Sequence, residues 1–263
     1  MFHLRVAGLF ALTGAVVPGM AFSQTIVTDR PDFVEAASTV GRGSIQIEAA
    51  VAFIETETGG TEVEDFGTPF LLRVGFADAW EARVETFGYR RSTEEVGTSE
   101  VTTDGVSDFA VGVKWAFFAP ESGNAPAMGA LVHLRLPIGS NDFQGDGTVP
   151  SLRISAEWDL GDDWGIGIMP GIRYDRLGDE RFVAGLIGAV AGKGLTDTFR
   201  VFAEIAFEQI AKDQNGGDVG FVDFGGTFLL NPRWQLDAST FVGITDQAPD
   251  YGFSLGVSGL FPG

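Results

Sequence analysis

The sequence predicts an all-β protein, a transmembrane antiparallel up-and-down β-barrel of twelve strands that follows an N-terminal signal peptide. Three observations predict this fold. Apolar and polar residues alternate with a period of two along most of the chain, the connectors between the alternating runs are alternately short and long, and the Trp and Tyr residues fall near the ends of the runs. Bacterial outer-membrane barrels share all three features.

Composition excludes several other classes of protein. The chain has 263 residues, no cysteine, and 36 acidic against 17 basic side chains, which gives a net charge of -19. Without cysteine there are no disulfides, thiolate metal sites or cysteine nucleophiles, and an acidic chain is unsuited to binding nucleic acid phosphates. We expect neither a nucleic acid partner nor a bound cofactor or metal. The 37 Gly and 23 Phe favour many short strands.

The first residues have the composition of a secretory signal peptide. An apolar run over 6–17 is followed by the breakers Pro18-Gly19 and by a small-residue cleavage site that ends at Ser23. A membrane anchor is the alternative, but the run is shorter than the roughly 18 residues that a spanning helix needs. The predicted divisions are a signal peptide at 1–23, an N-terminal periplasmic or luminal segment at 24–42, and the barrel at 43–263.

Twelve alternating runs mark the strands. In the first run, Ile45 and Ile47 share one face while Gln46 and Glu48 share the other. Most runs have the roughly 9 to 11 residues that cross a bilayer as a tilted strand. Pro170 lies inside the seventh run, where we expect a bulge because a closed barrel has no free edge for a proline. The predicted strands are 43–54, 66–74, 80–89, 106–118, 127–138, 151–160, 164–174, 182–193, 198–210, 220–230, 234–243 and 251–261.

The connectors alternate in length. Those after even-numbered strands are mostly tight turns, whereas those after odd-numbered strands are longer, polar and rich in acidic side chains. This asymmetry is typical of outer-membrane barrels, and an even strand number places both chain ends on the periplasmic side with the short turns. The acidic loops either form a solvated surface or bridge through divalent cations to lipopolysaccharide. The predicted long loops are 55–65, 90–105, 139–150, 175–181, 211–219 and 244–250.

The aromatic residues indicate which face meets lipid. A soluble barrel or sandwich would show the same alternation with its apolar face inward. Amphipathic rings at both edges of an apolar band favour a lipid interface instead, because the ring is buried while its polar group stays in water. The five Trp fall at the periplasmic end of the apolar face and two Tyr at the other end. The predicted girdle comprises Trp80, Trp115, Trp158, Trp164, Trp234, Tyr174 and Tyr251.

The polar face of the strands carries charges of both signs. On the lipid side, each Arg or Lys near the midplane would cost roughly 2 to 4 kcal/mol, whereas charges in a lumen can pair and meet water. A twelve-stranded ring lies between small filled barrels and open porins, so opposed charges can constrict or plug it. The candidates for setting solute selectivity by charge are Arg73, Glu81, Arg83, Arg135, Arg153, Glu157, Arg173, Arg200 and Glu204.

These observations favour passive passage of small solutes through a charged lumen, in an outer-membrane protein that is not an enzyme. A non-conducting structural or adhesive barrel is the alternative. A lipid-modifying enzyme is a weaker one, which would use His133 with a serine such as Ser155. The expected partners are outer-membrane lipid and lipopolysaccharide, the outer-membrane insertion machinery and a small-molecule solute.

The first half of the chain resembles one known family. Thr28-Asp29-Arg30-Pro31-Asp32 precedes the first strand, Arg73 lies in the second, Ser107-Asp108 opens the fourth and Leu136-Pro137-x-Gly139 closes the fifth. In these motifs it resembles the Proteobacterial outer-membrane proteins described as the "putative phenol-degradation MetA-pathway" or "transporter" family. The resemblance implies a barrel that passes small, often apolar or aromatic molecules. One departure concerns assembly. Such barrels usually end in an aromatic residue, but in this sequence Phe261 is followed by Pro262-Gly263.

Overall fold

The computed structural model describes residues 25–120 and 124–263. The predicted signal peptide, residues 1–23, lies outside the described residues. In the described part of the chain no helix is long and apolar enough to cross a bilayer. Apart from the single 3-10 turns Asn141–Phe143 and Asp213–Asn215, the regular structure there consists of strands.

Fifteen strand segments form within those residues, and nearly all coincide with the alternating runs of the sequence. They are β1 (Ile45–Thr58), β2 (Thr61–Gly67), β3 (Phe70–Ala77), β4 (Trp80–Thr86), β5 (Tyr89–Val96), β6 (Ser99–Val106), β7 (Phe109–Phe118), β8 (Ala127–Leu136), β9 (Val149–Gly161), β10 (Trp164–Leu177), β11 (Glu180–Gly194), β12 (Phe199–Ile210), β13 (Val219–Asn231), β14 (Trp234–Gly243) and β15 (Tyr251–Phe261).

The segments close into a ring. Every pairing is antiparallel, and β15 returns to β1 along a ladder from Ile45–Phe261 to Glu55–Tyr251. Three barrel strands are interrupted, so that β2 continues as β3 after residues 68–69, β4 as β5 after 87–88, and β6 as β7 after 107–108. With these halves joined, the described residues form a closed antiparallel barrel of twelve strands, which confirms the predicted fold class and strand number.

The two ends of the barrel differ. We call the end with the connectors 78–79, 162–163, 195–198 and 232–233 the turn end, and the opposite end the loop end. β1 begins and β15 finishes at the turn end, because they pair in antiparallel register from Ile45 with Phe261. The ring itself therefore starts and stops at the same end.

Three of the predicted long loops are mainly strand. Residues 55–65 and 90–105 extend the wall as the hairpins β1–β2 and β5–β6, and 175–181 contains only a two-residue turn. Gly59 and Gly60 have φ values of 63° and 85°, which the tight β1–β2 turn requires. These loop predictions were wrong because the stretches are polar on both faces. Alternation of apolar and polar residues shows which part of a strand contacts lipid, but it does not show how far the hydrogen-bonded ladder extends.

Pro170 lies in β10 without the predicted bulge. Its pairs with β11 continue in one register through Pro170–Ile187, and those with β9 resume at Gly171 in the register they have at Ile168. The ladder to β9 omits Met169 and Pro170. The bulge prediction was therefore wrong, because the missing N–H removes local pairing without inserting a residue.

Side chains of the wall alternate between two environments. On β7, Val111, Val113 and Trp115 are exposed, whereas Ala110 and Lys114, which have the other parity along the strand, are buried. The outer surface is consequently apolar and the interior polar, the reverse of a soluble barrel with an apolar core. A ring of this kind needs lipid or detergent around it.

Residues 25–43, which we call the luminal segment, run through the interior of the barrel without regular structure. Both of its ends are held at the turn end, where the Ile26 N–H donates to the Pro232 carbonyl at 2.8 Å and the Gly43 N–H to the Gly75 carbonyl at 2.7 Å. Between these points Val34 and its neighbours are buried. The luminal segment thus enters and leaves from one end and fills the middle of the lumen.

Candidate functional site

Asp29 of the luminal segment lies at the centre of the lumen charges. Its carboxylate accepts hydrogen bonds from Lys114 Nζ, 3.0 Å from both oxygens, and from Arg83 Nη1 at 2.5 Å, and Arg73 Nη1 lies 3.5 Å away. All four side chains are buried. Burial alone would raise the pKa of Asp29, but the three cations lower it well below its usual value. Asp29 is therefore ionised and holds three cations of the wall.

Glu35 is the second acidic contact of the luminal segment. Arg153 Nη1 donates to its Oε1 at 2.6 Å, and Arg83 Nη2 lies 2.7 Å from its Oε2. Burial opposes ionisation of this carboxyl group, yet Arg83 and Arg153 lower its pKa to about 2. Two carboxylates of the luminal segment are thus bound by cations of the barrel.

Carboxylates of the wall in turn bind the backbone of the luminal segment. A buried segment without secondary structure needs acceptors for its N–H groups, and hydrogen bonds to an ionised acceptor are stronger than neutral ones. The acceptors are Glu48 for the N–H groups of Asp29 and Arg30, Glu81 for Val40 at 2.8 Å, Glu157 for Ala37 at 2.6 Å, and Glu204 for Phe33 at 2.7 Å and Val34 at 2.9 Å.

Acid is expected to weaken this attachment. The pKa of Glu35 is about 2 in the folded protein, below the ordinary 4.5, so its stabilising contribution is complete above about pH 4.5 and is lost as the pH falls through 2. Because the chain has no cysteine, Ser38→Cys gives a single spin-label site on the luminal segment. We expect the label to become mobile between pH 4.5 and pH 2 and to regain order at pH 7.

A label at Thr98, in the exposed β5–β6 turn, is the control for this experiment and should not respond to acid. In a Glu35→Gln chain the label at residue 38 should already be more mobile at pH 7. A label that stays immobile down to pH 2 would show that these ion pairs do not hold the luminal segment.

Val34 packs against two glycines of the wall. A Cβ placed at Gly188 would lie 2.7 Å from Val34 Cγ2 and 2.9 Å from Phe33 Cδ1, and one at Gly167 would lie 3.1 Å from Val34 Cγ1. Phe33 also meets the ring of Phe221 edge-on, with centroids 6.1 Å apart. Only residues without a Cβ let the luminal segment lie this close to β10 and β11.

The substitution Gly188→Ala is expected to destabilise the folded protein by about 1 to 3 kcal/mol, the usual cost of overpacking. Gly185→Ala on the same strand is the matched control, because a Cβ there meets Ile210 at an ordinary 3.5 Å. Urea unfolding midpoints in detergent measure the difference. Adding Val34→Ala to Gly188→Ala should recover part of the loss. Equal midpoints for the two single variants would contradict the close packing of Val34.

Two cavities remain beside the luminal segment. One of about 820 Å³ lies toward the turn end and has Arg200 and Trp164 in its lining, and one of about 660 Å³ lies toward the loop end. Arg30 lines both cavities, and its Nη2 donates to Asp237 Oδ1 at 3.2 Å and to Ser254 Oγ at 3.1 Å. The side chain of Arg30 therefore stands between the two cavities.

The predicted lumen residues divide into two groups. Arg135 and Arg173 both bind Asp175 near the loop end, at 3.2 and 2.9 Å, while Arg200 lines the turn-end cavity. The other six contact the luminal segment directly, so they are bound to that segment rather than lining an open passage. A role for any of the nine in solute selectivity stays a prediction. The six are Arg73, Glu81, Arg83, Arg153, Glu157 and Glu204.

The predicted girdle residues lie on the outward-facing strand positions. Trp80 and Trp115 stack with ring centroids 5.2 Å apart and planes inclined by 6°. By strand position the five Trp lie near the turn end and the two Tyr near the loop end; their contact with lipid stays a prediction. The exposed members are Trp80, Trp115, Trp164, Trp234, Tyr174 and Tyr251, while Trp158 is half-buried.

Several residues of the network were not among the sequence candidates. Asp29, Arg30 and Glu35 precede the first strand, and Glu48 and Lys114 lie on the inward face of the wall. The close alternation of opposite charges in Thr28-Asp29-Arg30-Pro31-Asp32 was the available signal. Because residues 28–32 do not alternate with the period of a strand, however, the charge pattern did not indicate which wall residues these side chains would contact.

The arrangement gives little support to hydrolysis by His133. In the β8–β9 ladder His133 is opposite Ser151, whereas Ser155 is opposite Gly129, about four strand residues or roughly 13 Å further along. Among the described residues neither ring nitrogen of His133 has a hydrogen-bond partner. No serine hydroxyl of the described residues is therefore hydrogen-bonded to this histidine.

A closed strand ring with an apolar outer face and a charged interior defines the class of integral outer-membrane β-barrels. Solved structures share this fold. An outer membrane channel from Pseudomonas putida F1 is 12% identical with a TM-score of 0.67, covering 86% of this chain and 98% of that chain. The KdgM porin is 8% identical with a TM-score of 0.53, and the match covers 82% of this chain and 99% of the porin. The translocator domain of the autotransporter NalP from Neisseria meningitidis is 16% identical with a TM-score of 0.50, and the match covers 84% of this chain and 89% of that domain.

The particular family follows from the sequence match. The family model described as "Putative MetA-pathway of phenol degradation" matches residues 28–261, and the chain belongs to this family. The resemblance predicted from the motifs is thereby confirmed. The search of curated proteins finds no match.

Proposed function

We propose that this protein is a passive outer-membrane channel for small solutes and that the luminal segment keeps it closed at rest. The observation that carries the proposal is the pair of cavities on either side of that segment, separated at Arg30. A displacement of the luminal segment would join them into one passage. The proposal places both chain ends in the periplasm and assigns no catalytic activity.

The loop-end cavity supports a class of solute. Phe70, Phe87 and Phe143 line it together with Arg90 and Arg135, and the Arg90 guanidinium lies 5.1 Å from the centroid of the Phe143 ring. Aromatic walls with a few convergent polar groups suit a small apolar body, and guanidinium groups bind anions or stack on rings. We propose small aromatic molecules with a polar or anionic substituent, which agrees with the family description.

A non-conducting barrel is the second candidate. The observation that favours it is the extension of β1, β2, β5 and β6 beyond the rest of the wall, whose exposed residues include Glu62, Glu95 and Glu100. Such a surface could bind lipopolysaccharide through divalent cations or another envelope partner. In that case the barrel stays impermeable in every variant of the luminal segment, and removing the extension alters envelope integrity. Assembly by the outer-membrane insertion machinery is part of both proposals.

Liposome swelling tests the channel with Arg30→Ala. Removing the side chain that stands between the cavities is expected to raise the permeability to small aromatic acids several-fold over the unaltered protein. Arg30→Lys, which keeps the charge, is the control and should stay near the basal rate. Because Arg30 also binds Asp237 and Ser254, the heat-dependent gel mobility of each variant must first show a folded barrel. Equal permeability of folded Arg30→Ala and unaltered protein would contradict the proposed path.

A further inference from the structure

We propose that Glu35, Glu85 and His133 form a binding site for one divalent transition-metal ion, which ties the luminal segment to the wall. One ligand atom from each of the three residues lies within 4.8 Å of the others, and His133 Nδ1 is 3.8 Å from Glu85 Oε1. The three residues come from the luminal segment, β4 and β8. An ion placed among them would bridge parts of the chain that are far apart in sequence.

His133 is the observation that points to a ligand. The residue is 3% exposed, and within the described residues neither Nδ1 nor Nε2 has a hydrogen-bond partner. Burying an imidazole in this state is unfavourable unless something else binds a nitrogen. Gly112 leaves room for the ring, because a Cβ there would overlap it. The ring therefore lies beside the two carboxylates.

Competition from Arg83 does not prevent metal binding at Glu35. Arg83 Nη2 lies 2.7 Å from Glu35 Oε2, but this oxygen accepts no hydrogen bond of good geometry from the described residues. Arg83 Nη1 also binds Asp29 and Glu81. If Oε2 turned to a metal, the Arg83 guanidinium would keep two carboxylate partners.

The charge balance of the lumen favours a bound cation. In this network five carboxylates meet four cations through ion pairs, which leaves one negative charge in excess. The carboxylates are Asp29, Glu35, Glu48, Glu81 and Glu85, and the cations are Arg73, Arg83, Lys114 and Arg153.

The ligand types select the metal. One imidazole and two carboxylates suit Zn²⁺ and similar ions, with water completing the coordination, whereas Ca²⁺ and Mg²⁺ prefer oxygen ligands alone. The side chain of Glu85 is 28% exposed and lines the loop-end cavity, so an ion can reach the site from that cavity. The proposal does not depend on solute passage.

Calorimetric titration of the purified, metal-free full-length protein with Zn²⁺ tests the site. We expect one site per chain, weakened by about tenfold or more in His133→Gln and in Glu85→Gln, since each removes one ligand. The matched control is Glu62→Gln with Glu64→Gln, in the exposed cluster of Glu55, Glu62 and Glu64, and it should leave the affinity unchanged. Unchanged affinity in His133→Gln, or loss of binding in the control, would overturn the proposal.

X-ray absorption at the zinc edge gives a second test that needs no variant. The unaltered protein loaded with one equivalent of Zn²⁺ should show one imidazole nitrogen among the ligands, with oxygens at the remaining positions. A first shell made of oxygen alone would place the metal in the exposed acidic cluster and contradict the proposed site, and so would the absence of stoichiometric binding.

Discussion

A variant that lacks residues 25–40 is expected to conduct ions, in contrast to the full-length protein, which we propose to be closed. The deletion removes Asp29, Glu35 and the backbone N–H groups that occupy the lumen carboxylates, while the ladder that closes the ring begins only at Ile45. The wall should therefore fold without the luminal segment. We expect the mean conductance in planar bilayers to rise by about tenfold or more, since the deletion empties the middle of a ring that is wider than the roughly eight-stranded barrels that side chains fill.

The ion preference of the deletion variant should be weak. Four cations and five carboxylates of the wall would be released into water together, and their charges nearly cancel. They are Arg73, Arg83, Lys114 and Arg153 on one side and Glu48, Glu81, Glu157, Glu204 and Asp237 on the other.

Removal of residues 95–100, the tip of the β5–β6 hairpin, is the control for the deletion, because these residues lie outside the lumen and line neither cavity. That variant should conduct no more than the full-length protein. A folded variant without the luminal segment that remains silent in bilayers would exclude the plug and favour a structural barrel.

The ring and its faces followed from the sequence because lipid imposes a simple rule. Each wall residue meets either lipid or lumen, so a period of two predicts both the strand and the direction of its side chains. Leu152, which points away from the lumen and is 41% exposed, follows this rule. The β5–β6 hairpin does not, because above the lipid neither face needs to be apolar and the alternation disappears while the ladder continues.

The occupation of the lumen by residues 25–43 could not be predicted in the same way. Arg73, Arg83 and Glu81 were correctly placed on the inward face, but which charge binds which depends on a segment with no period. Asp29 and Glu35 reach wall cations 44 to 118 positions away in the sequence. Pairings over such distances depend on the closed ring, so they become visible only in three dimensions.

Asp29→Asn is expected to destabilise the folded barrel by about 3 to 5 kcal/mol, the usual cost of removing one partner from buried ion pairs. Asparagine keeps an oxygen that can accept from the Ala36 N–H, as Asp29 Oδ1 does at 2.9 Å, so the change removes mainly the charge. In this variant the buried cations Lys114, Arg83 and Arg73 lack the carboxylate that they share in the unaltered protein. Urea unfolding midpoints in detergent should fall, and a spin label at residue 38 should become mobile.

Two further variants separate this charge effect from general damage. Asp32→Asn is the matched control on the same segment, because within the described residues no ion pair reaches Asp32, and it should leave the midpoint nearly unchanged. Lys114→Met alone should also destabilise, since it leaves Asp29 with one cation fewer. Combined with Asp29→Asn, however, Lys114→Met should recover part of the loss, because removing both members of a buried pair is less costly than removing one. Strictly additive losses of stability in the two variants would instead mean that Asp29 and Lys114 stabilise the barrel independently. In that case the luminal segment is held by the hydrogen bonds from its backbone to the wall carboxylates.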